Sequence, residues 1–150
     1  MKQKPELSLK SRALGYLARR EYSQAELRRK LKPHTEDIDE LNLVLDELVA
    51  RGWLSDQRFA EQLIHARTKK YGSQRILHEL REKGVSEDII SDAMGSIHSS
   101  EFAAAKAVWQ KKFSELPRNA MERAKQMRFL MGRGFTLNVI RSILQGGVDD

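Results

Sequence analysis

Residues 133–144 repeat residues 83–94 without a gap. Arg133-Gly-Phe-Thr-Leu-Asn-Val-Ile-Arg-Ser-Ile-Leu144 lies on Lys83-Gly-Val-Ser-Glu-Asp-Ile-Ile-Ser-Asp-Ala-Met94, with a basic residue, a glycine, an apolar residue, a hydroxyl and the apolar pairs coinciding. A fainter match places Tyr22, Leu27 and Leu31 on Tyr71, Ile76 and Leu80, and it fades after Leu31 because the first copy is longer in its third helix. A repeat of this length is one supersecondary unit that needs company. The chain is therefore expected to be all-α, with three tandem three-helix repeats at 8–52, 55–97 and 100–146. Each is too small to bury its apolar faces alone, so neighbours should stack into an elongated, curved array. The alternative is one compact bundle whose hairpins look alike because their caps are alike.

The middle copy is the easiest to read. Ser73 can cap a helix that carries Ile76, Leu77 and Leu80 on one side, Gly84 can end it in the left-handed conformation, and Ser86 can cap the next. That next helix places Ile89, Ile90, Ala93 and Met94 on its buried side. Neither helix, at about three turns, holds its shape alone in water, because nucleation is costly.

The outer copies carry similar signals. Residues 1–7 read as a frayed tail, and from Ser8 the apolar positions Leu9, Ala13, Leu14, Leu17 and Ala18 follow helical spacing. Ser23-Gln-Ala-Glu26 is a capping box opening a helix that buries Leu27 and Leu31 and stops near Pro33. A third helix starts around Thr35 to Asp37, buries Leu41, Val44, Leu45 and Leu48, and ends at Gly52. Ser55 or Asp56 caps a fourth, with Phe59, Ala60, Leu63 and Ile64 inside and Arg67 on the margin. Gly95 to Ser100 is small and polar and reads as a break, with Ser99 or Ser100 opening the next helix. Phe102, Ala105, Trp109, Phe113 and Leu116 form its stripe until Pro117 breaks it. A helix from Arg118 to about Arg133 and a short one through Val139, Ile140, Ile143 and Leu144 follow, and the last residues, 146–150, read as disordered.

Composition agrees with helices. Charged residues are 32% and aromatics 7%, and no alternating β-branched run with a hairpin turn appears, so strands have little support. The absence of cysteine excludes disulfides and thiolate metal sites and fits a reducing cytosol. No apolar run approaches the length of a membrane span, and the first residues lack a signal-peptide core, so a cytoplasmic location without membrane attachment is expected.

Little here resembles a catalytic site. His34, His65, His78 and His98 lack metal-ligand spacing, and no phosphate-binding glycine loop or nucleophile motif occurs. Glu36, Asp37, Asp39 and Glu40 crowd together, but acidic residues at a helix start are stabilised by the macrodipole, by roughly 0.3–1 kcal/mol each. No enzyme activity, cofactor or metal is expected. What remains is basic charge, with a net +6 and a pI near 9.7, which suits a polyanion or an acidic surface. Arg67, Lys69, Lys70, Arg75, Arg81 and Lys83 surround Tyr71 in the middle copy, and Arg118, Arg123, Lys125, Arg128 and Arg133 recur in the third. The bland reading is a solvated face with local pairs such as Glu79 with Lys83, worth a few tenths of a kcal/mol.

Several strings resemble one family. Tyr22-Ser-x-x-Glu26-Leu27, Gly52-Trp53-Leu54-Ser55-Asp56-x-Arg58-Phe59-Ala60, Lys70-Tyr71-Gly72-x-x-Arg75-Ile76-x-x-Glu79-Leu80-Arg81-x-Lys83-Gly84-Val85 and Arg128-Phe129-Leu130-x-x-Arg133-Gly134-Phe135 are similar to the RecX family of bacterial recombinase regulators. The resemblance covers about residues 8–146. It implies tandem three-helix repeats, no catalysis, and a regulator that binds the RecA recombinase in DNA repair by homologous recombination. It further implies a place in the groove of the RecA–DNA filament, lowered ATP hydrolysis and strand exchange, and filament disassembly. The matching positions Arg67, Lys70, Tyr71, Arg75, Arg81 and Lys83 are the expected partner-binding residues, with Arg128 and Arg133 beside them, whereas Gly84 and Gly134 look structural. The alternative is a direct DNA binder built on a helix-turn-helix-like pair. The helix after Gly84 carries Glu87, Asp88 and Asp92, which disfavours base reading, so weak, salt-sensitive DNA binding by a monomer is expected. A purely structural adaptor is a third reading.

Overall fold

The computed structural model describes residues 7–145, and the expectations for residues 1–6 and 146–150 lie outside it. All regular structure among these residues is helical: α1 Leu9–Leu17, α2 Gln24–Leu31, a 3₁₀ turn Lys32–His34, α3 Ile38–Ala50, α4 Asp56–Arg67, α5 Ser73–Glu82, α6 Glu87–Lys112, α7 Ala120–Gly132 and α8 Leu137–Leu144. No helix is long and apolar enough to cross a membrane. Side chains cap most of the starts. Ser8, Ser23, Asp37, Ser55, Ser86, Asn119 and Thr136 each accept an amide of the first turn, and the Ser23–Glu26 box is complete in both directions. Asp37 takes the amides of Asp39 and Glu40, so the acidic run serves the start of α3 as a cap.

The units are α1–α3, then α4, α5 and the first half of α6, then the second half of α6 with α7 and α8. Helix pairs in substantial contact lie within a unit or involve α6, as a tandem row requires. The buried apolar side chains separate into three clusters. Leu27, Leu31, Leu45 and Leu48 belong to the first, Ile64, Ile76, Leu80 and Ile90 to the second, and Ala105, Trp109, Leu130 and Ile140 to the third. The expectation that neighbours would cover one another's apolar faces is corrected: each unit closes on a core of its own, and the joints between units are rich in polar and backbone bonds.

Four local expectations also change. The break at Gly95–Ser100 is absent, and α6 runs unbroken from Glu87 to Lys112. Ser99 and Ser100 turn their hydroxyls back onto the Ser96 carbonyl, a bond that an uninterrupted helix accommodates. At its other end α6 stops before Pro117, at Phe113, and Ser114 takes φ +60°, which leaves Leu116 exposed instead of in the stripe. Ala18 is the exposed C-cap of α1. Ser73 is not the cap of α5, because Gly72 holds that place and Ser73 is fully buried in the first turn.

Candidate functional site

The start of α5 is where the second and third units meet. Its first three amides all donate to the third unit: Gly72 to the Arg133 carbonyl at 2.9 Å, Ser73 to Glu101 Oε2 at 2.6 Å, and Gln74 to the Gly134 carbonyl at 3.0 Å. Amides at a helix start have no partner within the helix, so carbonyls and a carboxylate brought from elsewhere satisfy them. Glu101 is 3% exposed and sits against those amides, with His98 Nδ1 3.8 Å from its other oxygen. The approach is close enough to demand glycine on both sides. A Cβ on Gly72 would lie 2.3 Å from Phe135 Cα, and one on Gly134, already at φ +88°, would lie 2.6 Å from the Arg75 amide nitrogen.

This joint orders a row of cations and aromatic rings. Arg75 lies 4.0 Å from the centre of the Tyr71 ring, and Arg133 is 5.6 Å from the same ring and 5.3 Å from that of Phe129. Lys112 Nζ stands 5.5 Å from the Phe129 ring, which Phe113 meets edge-on at 5.4 Å. Contacts of this kind are worth about 0.5–1 kcal/mol each at exposed sites. Their chemical consequence is that rings, not carboxylates, hold the cations. Among the described residues none of Lys70, Arg75, Lys112 or Arg133 makes an ion pair, so their N–H groups remain available to an anion. Arg133 does donate to the Lys70 carbonyl at 3.4 Å. One end of the row, Tyr71 and Arg75, lines an open cleft of about 570 Å³ together with Arg67, Lys70, Glu79 and Lys83.

The eight expected contact residues divide in two. Lys70, Tyr71, Arg75 and Arg133 come together as described. Arg67 forms a two-bond pair with Glu79 at 3.0 and 3.1 Å, and Arg81 one with Glu87 at 2.8 and 3.2 Å; these bonds raise both guanidinium pKa values above their ordinary range. Lys83 reaches Glu26 at 3.6 Å, so the local Glu79–Lys83 pair is replaced by two longer-range ones. Arg128 is exposed on α7, and among the described residues no ion pair, hydrogen bond or ring contact joins it to the row. Sequence reasoning missed Lys112, Phe129 and Glu101. Phe129 stood inside a matched string, but nothing local marks a buried glutamate or a lysine that arrives from the end of a different helix. No group of three or more His, Asp or Glu among the described residues could hold a metal.

The first joint uses equivalent positions with different chemistry. Ser23, which matches Gly72, donates its hydroxyl to the Lys83 carbonyl at 2.6 Å, just as Gly72 donates its amide to the Arg133 carbonyl. Tyr22, matching Tyr71, has Arg20 at 3.6 Å from its ring. At the position of Arg75, however, the first unit has Glu26, which binds Arg20 at 2.8 Å and Lys83 at 3.6 Å. Burial alone would push the Glu26 carboxyl up, but the Arg20 guanidinium, the Ser23 amide and Lys83 together hold it below its usual value. The first joint is thus neutralised where the second keeps its cations free.

Comparison with known proteins bears on this arrangement. Residues 10–48, 55–94 and 99–144 match the descriptions "RecX, first three-helix domain", "RecX, second three-helix domain" and "RecX, third three-helix domain". The chain belongs to the RecX family. It is 49% identical over 140 residues to "Regulatory protein RecX" of Ralstonia nicotianae, covering 93% of this chain and 88% of that one. The protein of the same name from Chromobacterium violaceum is 48% identical over 143 residues, covering 95% and 93%. A crystal structure of RecX from Lactobacillus salivarius superposes with a TM-score of 0.79 at 19% identity, covering 92% of this chain and 93% of that one, which shows the shared fold. A RecX regulatory role follows from the family, and the second joint is a place in this member where unpaired cations are gathered against aromatic rings.

Proposed function

We propose that this protein modulates, and mainly inhibits, a RecA recombinase by binding in the groove of the RecA–DNA filament, lowering ATP hydrolysis and strand exchange without catalysis of its own. It acts in the cytoplasm as a monomer. Membership of the RecX family supports the partner. The observation that carries the contact is the row Arg75–Tyr71–Arg133–Phe129–Lys112, whose cations lie against rings and lack carboxylates, with the unpaired Lys70 beside it. A tandem row of units reaches more than one filament subunit, and a ligand that bridges subunits opposes the movements that accompany hydrolysis. Stoichiometric purified protein should lower single-strand-dependent recombinase ATPase and strand exchange, and unchanged rates would remove this reading.

The same free cations favour a second property, salt-sensitive binding to bare DNA through phosphates. The acidic start of α6, Glu87 and Asp88, faces any attempt to insert that helix into a groove with like charge. A sharp preference for one DNA sequence in a binding titration would put direct DNA recognition ahead of recombinase binding.

A further inference from the structure

A groove between α4 and α6 lies on the flank of α4 away from the basic cleft. Arg67 and Lys70 point to the cleft, whereas Glu61, Ile64 and His65 line the groove. Ala60, Ile64, Ile89 and Ala93 supply its apolar part, and its volume is about 510 Å³. Its far wall includes Asp92, Ser96 and Ser99, and it exists because α6 continues through the small polar stretch that would otherwise end it.

The charge of the rim is opposite to that of the chain. Two carboxylates, Glu61 and Asp92, stand there with no Lys or Arg among the lining residues, in a protein with 27 Lys and Arg against 21 Asp and Glu. Among the described residues neither of these two makes an ion pair, and Glu61 accepts only a 3.4 Å bond from Gln57. An apolar floor with an acidic rim repels a nucleic acid and suits a protein segment that presents apolar side chains next to Lys or Arg.

We propose that the α4–α6 groove docks such a basic, apolar-tipped segment of a filament subunit, an assignment that rests on the recombinase reading above. The partner is then held on both flanks of α4, through its polyanion at the cleft and through protein at the groove.

The two contacts predict opposite signs for one variant. In Glu61→Lys with Asp92→Lys, both exposed helix positions, added cations tighten any contact with a polyanion but repel a basic segment. Binding is measured by fluorescence anisotropy to labelled single-stranded DNA, alone and coated with recombinase and a non-hydrolysable nucleotide. The double variant should bind the coated filament about tenfold more weakly or worse, while binding bare DNA as well as or better than the wild type. Ser96→Trp, which fills the groove without changing charge, should weaken filament binding alone. Filament binding that is unchanged or tighter in both variants, with circular dichroism preserved, overturns the groove assignment. If the wild type binds bare DNA but not the coated filament, the recombinase reading fails and takes the assignment with it.

Discussion

At the residue scale, a methyl group on Gly72 has nowhere to go. Its φ of −88° is open to alanine, so the cost of Gly72→Ala comes from collision with the Phe135 backbone and not from local strain. We expect a loss of about 1–3 kcal/mol in urea unfolding, with faster amide exchange at Ser73 and Gln74, since the joint must open to admit the group. Glu26 gives a prediction with a sign. Its folded-state pKa is depressed, so the stability it contributes is present above the usual carboxylate range and is lost as pH falls through the folded value. Asp56 works against it, because burial raises its carboxyl despite the 2.7 Å bond from the Gln24 amide, and its protonation in mild acid favours the folded state. Glu26→Gln should therefore remove the acid-induced loss of stability at the first joint, read as exchange protection of the α2 amides against pH, and leave the second joint unchanged.

At the element scale, α6 is the helix that joins two units, and its sequence hid that. Gly95 and the serines at 96, 99 and 100 are poor helix formers, and local propensity read them as a boundary. The helix persists because Ile97 within that stretch, Ile90 before it and Glu101, Ala104 and Ala105 after it are buried, and such tertiary contacts are invisible in a local window. Nothing lies within 4 Å of a Cβ on Gly95, so Gly95→Ala should raise stability by about 0.5–1 kcal/mol in thermal or urea unfolding. Features that depend on a few neighbouring residues were legible beforehand: the caps at Ser23, Ser55 and Ser86, and the left-handed Gly84 and Gly134 at φ +79° and +88°. Features that depend on distant residues were not. Ser73 looked like a cap until Gly72 was seen to lie against Phe135, and Arg67, Arg81 and Lys83 looked free until Glu79, Glu87 and Glu26 were found beside them. The candidate site was legible in its middle, Lys70 to Arg75 with Arg133, and not in its reach to Lys112.

At the scale of the whole molecule, the row of ring-held cations with Lys70 beside it predicts that Lys70→Glu with Arg75→Glu weakens filament binding by about tenfold or more with helicity intact, and lowers the salt dependence of DNA binding. Arg81→Glu, by contrast, mainly breaks a surface pair with Glu87 and should change binding little in the same titration. The two joints differ in what holds them. The second has a helix in common and backbone bonds to Arg133 and Gly134, whereas the first relies heavily on ionisable side chains, with Arg58–Glu21, Lys83–Glu26 and the Asp56 bond spanning it. In mechanical terms, rising salt should loosen the first joint, whose ion pairs it screens, before it loosens the second, whose helix and backbone bonds it leaves intact.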